Sequence, residues 1–193
     1  AVHRYIPGAF LLVGECPNPL ELRINRRATL TLYHKITFSS LNLPHKDTLL
    51  PQVFFLETLF VHYNKHYLGY LEKLNNLLEK NNYNYQYTKK QLVNKMELFP
   101  IDDRGDILYN LGGALNHELY FKILGGNGIP GGKILEKINR DFGSYDNFIE
   151  EIKEKAKKLV GSGYVFVVLN SAKQLQVIAT PNQETPYSYG FLP

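Results

Sequence analysis

The sequence predicts an α+β protein, an N-terminal helical hairpin followed by a C-terminal α/β domain with a small antiparallel sheet. Three observations carry that expectation. Apolar residues recur three or four apart from Val53 to about Lys80 and again from Ile107 to about Leu124, the spacing of helices with a buried face. Near the C-terminus, Tyr164-Val-Phe-Val-Val-Leu and Leu175-Gln-Val-Ile-Ala-Thr are β-branched and aromatic runs joined by the polar link Asn170-Ser-Ala-Lys-Gln, a hairpin signature. The balance of 44% hydrophobic and 21% charged residues in 193 is that of a globular chain and excludes disorder, collagen or a coiled coil as the main state.

Taken in order, residues 1–35 form a basic N-terminal extension. They contain Pro7, Pro17 and Pro19 with no helical period, and at most one strand, Thr29 to Tyr33. Five basic residues stand there against Glu15 and Glu21, whereas the rest of the chain is nearly neutral with 17 basic and 16 acidic residues. Residues 36–100 form the helical hairpin. Its long helix from Val53 to Lys80 gives way to a polar Asn/Tyr run, and Thr88 opens a second helix reaching Met96. Residues 101–193 form the C-terminal α/β domain. Asp102 and Asp103 read as caps of the helix Ile107 to Leu124, and the Gly-rich run 125–132 ends it. A short helix follows from Lys133 to Arg140, then another that Ser144 caps through the Asn147 backbone and Gly161 closes. Two strands alone are marginal in water, so a third is expected after Thr180, where the chain supplies only residues 181–193.

Composition narrows the chemistry. A single cysteine, Cys16, excludes an internal disulfide framework and a Cys-based zinc site within one chain, and it favours a reducing compartment. No uncharged apolar run approaches the roughly 20 residues of a bilayer span, so no membrane partner is expected. The Gly-rich segment fails as a phosphate loop, because Asn127 and Ile134 stand where Gly and Ser or Thr are required.

Histidines are more informative. In His62-Tyr-Asn-Lys-His66-Tyr-Leu-Gly-Tyr70, steps of four place His62, His66 and Tyr70 along one helix face. Tyr63, which occupies the place of the catalytic Glu, argues against zinc-hydrolase chemistry. His117 lies on the next long helix, one turn after Gly112 and Gly113. Glycine weakens a helix by about 1 kcal/mol relative to alanine, so a close approach is expected there. Helix-borne histidines facing each other beside a small residue have the geometry of a metal site within a helical layer.

From about Ile36 to Pro193 the chain resembles the iron/manganese superoxide dismutases. The resemblance runs in order through Leu43-Pro-His-Lys-Asp47 with Leu50-Pro51, the segment His62 to Tyr70, Asn116-His117, Asp141-Phe-Gly-Ser, Gly161-Ser-Gly-Tyr, and Asn182-Gln-Glu-Thr-Pro186. It implies manganese or iron as cofactor, one per subunit, and superoxide as substrate, in a homodimer or tetramer. It also implies that His62 and His117 are metal ligands, that His66 and Tyr70 line the substrate funnel, and that Gln183 holds metal-bound solvent and sets the redox potential. The family's Gln comes from either of two places, and an empty Gly113 with a filled Gln183 is the manganese-type pattern. Tyr164 and Phe121 stand where many members have Trp, which fits a composition of 14 Tyr and no Trp.

The resemblance also implies two further ligands, an Asp and a His four residues later, beyond the segment ending at Phe191-Leu-Pro193, so the chain reads as C-terminally truncated. Two functions from different classes follow. One is a superoxide dismutase; the alternative is a metal-free structural protein with a dismutase-like fold, a subunit of a larger assembly. A nucleic-acid partner would bind only through residues 1–35. The expected location is cytoplasmic, with the mitochondrial matrix as alternative.

Overall fold

The computed structural model describes residues 37–41, 56–124 and 128–193. The basic extension 1–35, Cys16, the strand at 29–33, the Leu43–Asp47 motif and the first turn of the helix expected from Val53 lie outside the described residues. Among those described, no helix is long and apolar enough to cross a membrane.

The first long helix is continuous but not uniform. It runs as α1 (Leu56–Val61), a six-residue π-helical turn (His62–Tyr67) and α2 (Leu68–Lys80). The helix expected from Thr88 to Met96 is shorter. Thr88 does cap it, with Thr88 and Gln91 bonding each other's backbone reciprocally, yet α3 spans only Lys89–Leu92. Beyond it Asn94 turns aside to donate to the Tyr187 carbonyl (3.0 Å), and a 3₁₀ turn, Met96–Leu98, leads on. Leu92, Val93 and Phe99 enter the core from this stretch.

α4 (Ile101–Ile123) starts two turns earlier than its apolar period suggests. Pro100 is the capping residue, while Asp102 and Asp103 sit inside the first turn, where carboxylates oppose the positive end of the helix dipole. Asp103 there accepts bonds from Lys80 (2.7 Å) and Asn81 (2.9 Å), tying the end of α2 to the start of α4. The two helices pack side by side around Leu74, Leu78, Ile107, Leu111 and Leu115.

α5 (Gly132–Phe142) and α6 (Tyr145–Lys158) follow, with the Ser144 hydroxyl accepting from the Asn147 N–H (3.1 Å) as its sequence position predicts. β1 (Gly163–Leu169) pairs antiparallel with β2 (Leu175–Pro181), in register from Gly163↔Pro181 to Leu169↔Leu175. One face of this sheet packs through Val165 and Val177 onto Ile138, Phe148 and Ala156 of α5 and α6. The other packs through Tyr164, Phe166 and Val168 against Leu119 of α4 and Phe191. Burial on both faces explains why β1 reads as an unbroken apolar run. On the opposite edge of β1, Leu169 and Leu192 form an antiparallel bridge (2.7 and 3.4 Å), and among the described residues no third strand joins the sheet.

Candidate metal centre

Two helices and one turn bring the singled-out side chains together. His62 and His66 project from the π turn, Tyr70 from the start of α2, His117 from the middle of α4, and Gln183 from the turn after β2. The His62 and His117 rings lie 4.9 Å apart between centroids at 74°, and Tyr70 is 5.2 Å from the His117 ring. His66 is set further out, 6.0 Å from His62. Tyr120 and Phe121 stand beside His62 at 4.9 and 5.2 Å, an apolar wall on that side of its half-buried ring.

His117 is 4% exposed. Its Nδ1 donates to the Gly113 carbonyl one turn back (2.7 Å), since a carbonyl can only accept, and this leaves the Nε2 lone pair to act as a donor atom. Burial pushes its pKa down to about 4, against a smaller opposite effect of the Gly113 bond, so the ring is neutral at pH 7. Burial lowers the pKa of His66 as well. Neutral imidazoles are the form in which histidine binds a metal.

Two of the three glycines of α4, Gly112 and Gly113, admit a neighbour. A Cβ on Gly113 would fall 2.4 Å from the Tyr70 ring, and one on Gly112 would fall 1.9 Å from the Gln183 carbonyl oxygen. Asn116 completes the seat by donating its amide to the carbonyls of Gln183 and Glu184, each at 3.3 Å. The turn itself is locked to the sheet, with the Asn182 N–H donating to Ser162 O (2.7 Å) and the Thr180 hydroxyl to Glu184 O (2.9 Å).

From this seat the Gln183 amide reaches Tyr70. Its Nε2 donates to the Tyr70 hydroxyl (3.3 Å) while its Oε1 accepts from the Tyr164 hydroxyl (3.2 Å). Tyr164 is a functional contact that the sequence reading treated only as a Trp replacement. The available signal was chemical: a tyrosine in an apolar strand needs a partner for its hydroxyl. Burial raises its pKa, so it remains a donor and fixes which end of the Gln183 amide faces Tyr70.

As a metal centre, the donor set fits in part. His62 and His117 bring two imidazoles together beside Tyr120 and Phe121, with His117 held neutral by its burial. Among the described residues no group of three or more His, Cys, Asp or Glu side chains is placed to hold a metal ion.

The fold is that of a two-part α+β protein, a helical layer followed by helices and a two-stranded antiparallel sheet, with two helix-borne imidazoles brought together. Residues 37–125 match the alpha-hairpin domain of the iron/manganese superoxide dismutases, and residues 130–193 match their C-terminal domain. The chain is 33% identical over 160 residues to the manganese superoxide dismutase of Listeria monocytogenes, covering 82% of this chain and 79% of that protein. It is 34% identical over 154 residues to the Mn/Fe superoxide dismutase of Rickettsia conorii, covering 79% and 72%. This chain belongs to the iron/manganese superoxide dismutase family. Its cofactor is accordingly manganese or iron, and nothing in these comparisons favours the metal-free alternative.

Proposed function

We propose that the chain disproportionates superoxide, two superoxide anions and two protons giving dioxygen and hydrogen peroxide, with His62 and His117 as metal ligands. The observation that carries this reading is the convergence of the two imidazoles with the hydrogen-bonded Tyr70–Gln183 pair beside them. Manganese or iron, when bound, supplies the one-electron oxidation and reduction.

The chain's own residues handle position and protons. Tyr120 and Phe121 wall one side of the His62 ring. Gln183, fixed at one end by Tyr164, holds the Tyr70 hydroxyl in place as the proton-carrying group that faces the substrate. Lys65, half-buried on the π turn, biases the approach toward a small anion, and His66, kept neutral by burial, lines that approach without adding charge. Assembly as a homodimer or tetramer in a reducing compartment belongs to the same proposal, with sedimentation as its check.

Metal analysis of the chain after exposure to manganese or iron, alongside superoxide consumption, tests the reading. Near-stoichiometric metal that falls sharply in His62→Ala and His117→Ala is expected. Metal content unchanged when both histidines are replaced would overturn it.

A further inference from the structure

Beside His117 a second polar cluster is built into the helical layer, and nothing in the reaction as described uses it. Tyr67, on the π turn, is fully buried, and its ring lies nearly parallel to His117, at 21° with 6.4 Å between centroids. The Tyr67 hydroxyl donates to Glu118 Oε1 (3.1 Å) and accepts from the Leu41 N–H (2.7 Å). Glu118, the residue after His117 on α4, is ion-paired with Lys89 of α3, the two side chains being 13% and 15% exposed. Lys89 also donates to Ser39 O (3.4 Å) and stands 5.7 Å over the Phe38 ring. Segment 37–41 is bracketed at both ends, because the Asn75 amide bonds both the N–H and the C=O of Phe38 (3.0 Å each) and the Tyr63 hydroxyl donates to Leu41 O.

A partly buried ion pair is a modest source of stability, since desolvation offsets part of its attraction. What it does supply is direction. A carboxylate held by Lys89 presents a fixed oxygen to the Tyr67 hydroxyl, and a ring anchored at its hydroxyl cannot slide along its neighbour. We propose that Lys89, Glu118 and Tyr67 act as one positioning unit that sets the attitude of the His117 imidazole and fastens segment 37–41 over the π turn. The proposal rests on the reading of His117 as a metal ligand; its three members are positioning residues and touch neither metal nor substrate.

Nuclear magnetic resonance of the metal-free chain at pH 8, where His117 is neutral, tests this apart from any activity. Tyr67→Phe removes one oxygen and keeps the ring. It is expected to move the His117 Cε1–H signal and to speed amide exchange at Leu41 about tenfold, the loss of one hydrogen bond to a partly buried group, while amides in the α5–α6 layer keep their rates. Glu118→Gln and Lys89→Met should move the same signals in the same direction, and the double variant Lys89→Met/Glu118→Gln should return them toward the parent more than Lys89→Met alone. A folded Tyr67→Phe protein with an unmoved His117 signal would overturn the proposal, even if Leu41 exchange rose. Failure of the metal reading shows separately, as absence of bound metal in the parent chain, and leaves these signals as they are.

Discussion

The first turns of α4, residues 101–106, and its middle, residues 110–117, both contain glycine within one regular helix, for opposite physical reasons. A Cβ on Gly105 would meet nothing within 4 Å, so that glycine only weakens the helix. At Gly112 and Gly113 the same missing atom is the space that Gln183 and Tyr70 occupy. Residues 110–117 are all buried, whereas the first turns are exposed or half-buried. Glycine in a helix therefore reports a site only through what stands opposite it.

The sharpest way to break this contrast is Gly112→Ala. Its Cβ would meet backbone rather than a movable side chain, in a turn locked by Asn182, Thr180 and Asn116. A loss of about 3 kcal/mol or outright failure to fold is expected, at the upper end of overpacking costs. Urea unfolding of the metal-free chain gives the number, and a loss under about 1 kcal/mol would mean that the turn yields.

Next comes acid. Unfolded, the His117 imidazole takes up a proton near the ordinary 6.5; folded, burial delays this to about 4. Stability of the metal-free chain should be flat in this respect above pH 6.5 and fall as pH drops toward 4, by about 3 kcal/mol in all, with His66 adding in the same direction. Denaturation curves at stepped pH test it, and His117→Gln should flatten most of the slope. An equal slope in that variant would place the titrating group elsewhere.

Gly113→Ala should cost less, about 2 kcal/mol, because the Tyr70 ring can swing away. Swinging breaks the bond to Gln183, so the double variant Gly113→Ala/Tyr70→Ala should cost clearly less than the sum of the single changes. Simple additivity would show that the two residues do not share space. Smallest and of opposite sign, Gly105→Ala should gain just under 1 kcal/mol by the same measurement, and a loss there would erase the distinction between the two stretches.

Much of this was legible in the residues. Periodicity located the helices around His62 and His117, Ser144 announced α6, and the two apolar runs matched β1 and β2 within a residue, because each of these signals is local. Boundaries set by distant partners were not legible. α3 stops early where Asn94 turns to Tyr187, 93 residues away, and α4 begins early because a polar first turn carries no apolar period. In the centre, the residue types and the need for a close approach at Gly112–Gly113 were readable. The Tyr164–Gln183 bond and the Lys89–Glu118–Tyr67 cluster were not, since no spacing links residues that meet only after the layers pack.

The π turn has one more consequence. Leu59 and Leu71 stand twelve positions apart, yet both lie in the same buried cluster with Tyr67. Twelve α-helical steps of about 100° would leave them about 120° out of phase, while eleven leave about 20°. The wide turn takes up one residue more than an α-helix of that length would hold, so both flanks keep their faces to the core while the surplus is absorbed where the two histidines project. A single-residue deletion between 62 and 67 would thus restore an ordinary helix with its apolar face intact and erase the local geometry that presents His62 and His66.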